Sequence, residues 1–205
     1  IPATMHGLAS YNAENALFAT AAARGLGLSG ETIIAGLRSF TMSMEHTPGR
    51  MNVFDGLPFQ VFLDYAHNAN GIEAFCVFTD QLPVAGRRIL VLMAAGDRSD
   101  AEIEASAAAA AGSFDYYICR ESAVRRGRIR DAGDITRLLK AGLMKNGVPG
   151  DRIELFPDHE AALQRALEVA DSGDLLVVFA GIYHARAWEI LEKYQDALQH
   201  DCTVH

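Results

Sequence analysis

Lysine is scarce in this chain of 205 residues, occurring only as Lys140, Lys145 and Lys193, none of them in a glycine loop. The pattern GxxxxGK[ST] that cradles a triphosphate is missing, so a nucleotide held here is held without that grip. Cysteine is equally sparse. Cys76, Cys119 and Cys202 form no CxxC pair and no metal-ligand spacing, which argues against a disulfide framework or a zinc site and fits a reducing, cytoplasmic setting. GxSxG and HExxH do not occur, and Asp174, His159 and His184 stand at no triad or metal spacing, so no metal ligands are expected. The apolar run Leu175 to Ala180 is of strand length, far short of the roughly 18 to 20 residues of a membrane span. Excess positive charge is also lacking: the net charge is −8. A general nucleic-acid or anionic-membrane binder would need a basic surface, whereas a small anionic ligand needs only a few local cations. The chain opens Ile1-Pro2-Ala3-Thr4, with neither an initiator Met nor a signal-peptide pattern, and reads as a piece of a longer protein.

Half of the residues are hydrophobic, enough for one sizeable domain or a domain plus part of another. The chain is organised around Phe59 to Asn70. Phe59, Val61, Phe62 and Leu63 make a short apolar run typical of a buried strand. Asp64, Tyr65, His67 and Asn68 follow it directly, and Gly71 opens a helix. Polar side chains at the carboxyl end of a strand lie where open α/β sheets bind ligands. Asp64 can accept two hydroxyl hydrogen bonds, as from a ribose diol, while His67 and Asn68 each carry a donor and an acceptor. The residues leave a second reading open, in which Asp64 or Asn70 caps the helix and His67 is a satisfied turn residue.

Upstream, an Ala-rich helix is expected over Asn12 to Arg24, with Asn12 and Asn15 three apart on one face; taken alone, Asn12 reads better as its N-cap. Gly25 to Gly30 matches a dinucleotide fingerprint only as a string, because it follows a helix rather than a strand. Ser29 to Glu31 is read as the start of a second helix with Ile33, Ile34, Leu37 and Phe40 as its stripe. The boundary is placed within Met42 to Asp55, where Thr47-Pro48-Gly49-Arg50 has turn chemistry. Beyond it, strands at Phe59–Leu63, Arg88–Met93, Asp115–Cys119, Arg152–Leu155 and Leu175–Ala180 alternate with helices at Gly71–Leu82, Asp100–Ala111, Asp131–Asn146, Asp158–Ala170 and His184–Leu198. That alternation predicts an α/β fold with a doubly wound, mostly parallel sheet. Three polar groups then fall at strand ends on one edge: Asp64 to Asn68, Gly96-Asp97-Arg98-Ser99, and Arg120-Glu121 through Arg128. Gly96 to Arg98 suits a phosphate or carboxylate, or is a capping turn with Arg98 at the surface. Arg125, Arg126, Arg128 and Arg130 read as a solvated loop.

Four motifs in order resemble the Mur ligase superfamily: Asn12-x-x-Asn15 followed by alanines, Thr47-Pro48-Gly49-Arg50, Asp64-Tyr65-Ala66-His67-Asn68, and Gly96-Asp97-Arg98. Within it, Gly96 to Ile103 and Arg126-Gly127-Arg128 look most like cyanophycin synthetase. The resemblance implies a Rossmann-like C-terminal domain over 47–205, preceded over 1–46 by the helical end of the central ATPase domain, with Asp201 to His205 a loose tail. It implies an ATP-dependent amide ligase, in which a carboxylate is phosphorylated to an acyl phosphate and attacked by an amine. It also implies ATP and an amino-acid or peptide substrate as partners, the rest of the full-length chain, and Mg2+ held mainly upstream; homo-oligomerisation is left open, and this stretch alone is expected to be inactive. By position Asn12 and Asn15 match adenine contacts, Arg50 an arginine at the ribose or phosphates, and Asp64 a ribose ligand. His67 and Asn68 match neighbours of the nucleotide and incoming amine, which makes Arg50 and His67 the expected catalytic residues. Asp97 and Arg98 fall where the amino-acid pocket begins, and Glu121 is the expected partner for an arginine substrate. Two departures stand out: Ala69 replaces the usual Pro after His-Asn, and Arg120 to Arg128 replaces the Asn-Pro-Arg of diamino-acid ligases. A peptidoglycan-precursor ligase and a stand-alone nucleotide-binding module remain the alternatives.

Overall fold

The computed structural model describes residues 8–121 and 130–203, with side chains to 200. Its elements run α1 Tyr11–Gly25, α2 Gly30–Ser39, β1 Asn52–Phe54, β2 Gln60–Asp64, α3 Ala69–Thr79, β3 Arg88–Met93, α4 Asp100–Ala110, β4 Tyr116–Arg120, α5 Asp134–Lys145, β5 Ile153–Phe156, α6 His159–Val169, β6 Leu175–Phe179 and α7 His184–Thr203. The six strands form one sheet in the order β1-β2-β6-β3-β4-β5. All neighbours are parallel except β1, which pairs antiparallel with β2.

Alternation along each strand builds two cores. Phe62, Leu90, Leu92, Tyr117 and Val177 face α3, α4 and α5, while Val61, Leu63, Val91, Ile118 and Val178 face α6 and α7. Both faces of β6 are therefore dry, which is why Leu175 to Phe179 is an unbroken apolar run. Helices α3, α4 and α6 start at side-chain caps. Asn68 Oδ1 accepts from Gly71 N at 2.8 Å, Asp158 Oδ1 from Ala161 N at 2.8 Å, and Ser99 forms a reciprocal capping box with Glu102. The cap of α3 is thus Asn68 rather than Asp64 or Asn70, and the N-cap position of α1 is Ser10 rather than Asn12, with no side-chain cap hydrogen bond.

Three departures have simple causes. Strand β1 is three residues long with Val53 turned outward, too short to leave an alternating signal. Helix α5 starts at Asp134, after Gly133 in the left-handed region at φ 85°. Helix α7 runs through Thr203, so 201–203 are helical rather than a loose tail. The glycine-rich stretch rejected as a fingerprint is the end of α1, a left-handed Gly27 and the Ser29 cap of α2. The arginine cluster Arg125, Arg126 and Arg128 lies outside the described residues.

Candidate functional site

The carboxyl end of β2 delivers Asp64 to a cleft of about 1110 Å³ between the sheet and the helices α1 and α2. Pairing Asn52 with Leu63 puts Met51 opposite Asp64 one step further along. Met51 is buried and holds φ 48°. In that left-handed conformation, uncommon for a residue with a Cβ, its N–H donates to Asp64 Oδ2 at 2.8 Å. The N–H of Ala66 donates to Asp64 Oδ1 at 2.7 Å. Each carboxylate oxygen is thus held by at least one backbone donor and keeps acceptor capacity. Burial pushes the Asp64 carboxyl up, opposed by these backbone hydrogen bonds and the nearby Arg50 guanidinium.

Arg50 reaches the same rim from the Thr47-Pro48-Gly49-Arg50 turn. The turn is tied by buried Asn52, whose Oδ1 accepts from Gly49 N at 2.6 Å and whose Nδ2 donates to Thr47 O at 3.1 Å. Gly49 has φ 70°, and a Cβ there would lie 3.0 Å from His184, so the turn needs glycine. The guanidinium of Arg50 lies 4.5 Å over the Tyr65 ring, and Tyr65 packs edge-on against His67 at 5.2 Å. His67 Nδ1 is 3.2 Å from Tyr65 O.

Helix α1 supplies the opposite wall. Asn15 Nδ2 donates to Asn12 Oδ1 at 3.1 Å, and Asn12 Nδ2 approaches Met42 Sδ at 3.7 Å and Met51 Sδ at 4.0 Å. Tyr11 Oη donates to Met51 Sδ at 3.3 Å; burial, with Asp64 close by, pushes its phenol up, so it remains a donor. Asn12, Asn15, Arg50, Asp64, His67 and Asn68 all line this one cleft. Tyr11, Met42, Met51 and Asn52 were not anticipated. Their types carry no chemical signal, and only their nearness to motif residues marks them.

Asp97, Arg98 and Glu121 are not among the residues lining that cleft, because β6 separates β2 from β3 and β4. Arg98 pairs with Glu102 at 3.4 Å, and Asp97 Oδ1 is 4.0 Å from Arg98 Nε. Arg130 Nη2 donates to Arg98 O at 2.6 Å and to Asp100 Oδ1 at 2.8 Å. Glu121 Oε1 accepts from Thr136 N at 3.1 Å, tying it to the first turn of α5. Arg120 is buried at the end of β4 and donates to Phe179 O and Ala180 O at 3.1 and 3.0 Å. Among the described residues no three acidic, His or Cys side chains cluster to hold a metal, and no helix is long and apolar enough to cross a membrane.

A family model described as Mur ligase, glutamate ligase domain, matches residues 49–181. Cyanophycin synthetase of Synechocystis sp. is 38% identical over 87% of this chain and 20% of its own length. The UDP-N-acetylmuramoyl-L-alanyl-D-glutamate–2,6-diaminopimelate ligase of Geobacillus kaustophilus is 31% identical over 82% of this chain and 32% of its own. The chain thus spans about a fifth of the length of the cyanophycin synthetase it matches. Among solved structures, a murein peptide ligase from Psychrobacter arcticus superposes with TM-score 0.68 at 18% identity, covering 90% of this chain and 36% of that one. FolC of E. coli in complex with ADP gives TM-score 0.64 at 25% identity, over 89% and 40%.

Proposed function

This chain belongs to the Mur ligase family through its glutamate ligase domain, and on that premise we propose that it is the C-terminal portion of an ATP-dependent, amide-bond-forming ligase of cyanophycin synthetase type. In this reading residues 1–46 end the central ATPase domain and 47–205 close over ATP. The observation that carries it is the convergence of Asn12, Asn15, Arg50 and Asp64, from three separate segments, on one cleft.

The donor set fits an adenosine nucleotide. Asn15 offers an amide to the base, Asp64 two oriented carboxylate oxygens to a ribose diol, and Arg50 an exposed guanidinium to phosphate. Arg50 stabilises charge that develops as the phosphoryl group moves to the substrate carboxylate. His67 stands beside it, on the path of the incoming amine. Closure of the domain excludes water from the acyl phosphate, so the amine rather than water displaces phosphate. Magnesium would supply charge neutralisation at the phosphates, with its ligands in this reading mainly in the upstream domain. In this reading Arg98 and Asp97 belong to the amino-acid pocket, the role that their place in the Gly96-Asp97-Arg98 motif suggests. Glu121 already accepts from α5, so pairing with an arginine side chain would use its remaining oxygen. The 31% identity to a diaminopimelate ligase keeps a peptidoglycan-precursor substrate as the second reading.

The test is amino-acid-dependent phosphate release by the full-length polypeptide that carries this chain, screened over amine substrates with arginine and diaminopimelate in separate arms. Arg50→Ala is expected to lower kcat by about 10²-fold or more, as removal of a charge-stabilising donor does. Asp64→Ala is expected to act mainly on the KM for ATP. Full turnover in both variants would remove the proposal.

A further inference from the structure

We propose that the thioethers of Met42 and Met51 set the polarity of the Asn12–Asn15 amide pair and thereby make the site select adenine over guanine. The inference rests on the nucleotide reading above and deepens it.

A thioether sulfur accepts hydrogen bonds and cannot donate them. Met42 and Met51 flank the Arg50 turn, and both sulfurs face the Asn12 side chain, at 3.7 and 4.0 Å from Nδ2. Of the two ends of the amide, only the NH2 can sit there favourably. Its oxygen is then directed at Asn15, which must answer with its own NH2, as the 3.1 Å contact records. Asn15 is exposed on the cleft wall, so its oxygen and second N–H are left to face a base. An acceptor beside a donor matches the N6–H and N7 edge of adenine, which an asparagine reads bidentately. Guanine offers O6 and N7, two acceptors, at that edge, and O6 would confront the Asn15 oxygen. Turning Asn15 over would set its oxygen against that of Asn12. Turning both would set the Asn12 oxygen against two sulfurs. The two sulfurs, which themselves line the cleft, thus bias the base preference through the Asn12–Asn15 pair.

Met51 is locked in this role from both ends. Tyr11 donates to its sulfur at 3.3 Å, and its own N–H is committed to Asp64. Met42 makes the shorter approach to Asn12 and is the stronger of the two determinants. Met42 and Met51 are positioning residues, and their replacement by leucine preserves bulk and apolarity while removing the acceptor.

The experiment compares kcat/KM for ATP and GTP in the full-length polypeptide, for the wild type, Met42→Leu, Met51→Leu and the double variant. ADP and GDP binding is measured on the same proteins so that impaired turnover does not hide the result. The double variant is expected to lose about tenfold of the ATP preference, chiefly by admitting GTP, with Met42→Leu the larger single effect. Thermal midpoints should stay near that of the wild type, since packing volume is kept. A wild type that prefers ATP and a double variant whose preference stays within twofold would overturn the sulfur lock alone. A wild type that uses and binds neither nucleotide would instead overturn the nucleotide reading beneath it.

Discussion

Helices α2 and α4 carry the same local signals and end in different circumstances. Each begins at a serine whose hydroxyl accepts from the backbone three residues on, Ser29 in one case and Ser99 in the other. Helix α4 buries Ile103, Ser106, Ala107 and Ala110 against the sheet. No residue of helices α1 and α2 is fully buried, and Phe18, Leu26, Ile34 and Phe40 stand 75%, 83%, 51% and 46% exposed. Caps and periodicity decide whether a segment turns into a helix. Whether it adds to the stability of the fold is decided by what it packs against, since helices this short are marginal alone.

The largest expected contrast is in the cores. Leu90 is fully buried on β3, and Leu90→Ala should cost about 2–5 kcal/mol of unfolding free energy, transfer and cavity terms together. Leu26→Ala, at the far end of α1, should fall within about 0.5 kcal/mol of zero. Urea unfolding followed by tyrosine and tryptophan fluorescence measures both. Comparable losses would mean that the two regions fold as one unit.

A smaller effect belongs to the sheet body alone. His159 is buried and stacked on the Tyr183 ring at 5.2 Å. Burial first, and the Arg120 cation second, push its pKa down to about 3. The unfolded chain takes up a proton near pH 6.5 while the folded one stays neutral, so stability is full above pH 6.5 and is lost as pH falls toward 3. At pH 5 the loss is about 2 kcal/mol. Unfolding curves at pH 7 and pH 5 should therefore diverge in the wild type and converge in His159→Phe. Equal pH slopes in the two proteins would show that His159 is protonated in the fold.

The sheet was legible because both of its faces are covered: the runs at Arg88–Met93 and Leu175–Phe179 can only be strands buried on two sides. The left-handed Met51 was not, since its conformation follows from pairing with β2 and from the tie to Asp64. The cleft was legible residue by residue at Asn12, Asn15, Arg50, Asp64, His67 and Asn68, whose polar groups end a strand, a turn or a helical face. What the sequence could not convey is strand order. Asp64 and Arg98 both leave the sheet at its carboxyl edge, yet β6, last in the chain, inserts between β2 and β3 and holds them apart. Nor does anything local to Glu121 announce that α5, starting thirteen residues later, also uses one of its oxygens as an acceptor for Thr136 N.

The finest test of the contrast uses one substitution at two places. Ser99→Ala breaks a capping box in which Glu102 also accepts from Ser99 N at 2.8 Å. Because α4 is packed on the sheet, its fraying is coupled to global unfolding, and the expected cost is about 1 kcal/mol in the urea midpoint. Ser29→Ala removes a similar hydrogen bond, from Thr32 N at 3.2 Å. A ten-residue helix with no buried side chain sits close to its own helix–coil balance, so losing the cap shifts α2 toward coil without moving that midpoint. Hydrogen exchange should then quicken at Ile33 to Leu37 in Ser29→Ala while the strands keep their protection. A shared fall in midpoint for the two variants would show that α2 reports on the same cooperative unit as α4, and that its exposed stripe is no guide to its energetics.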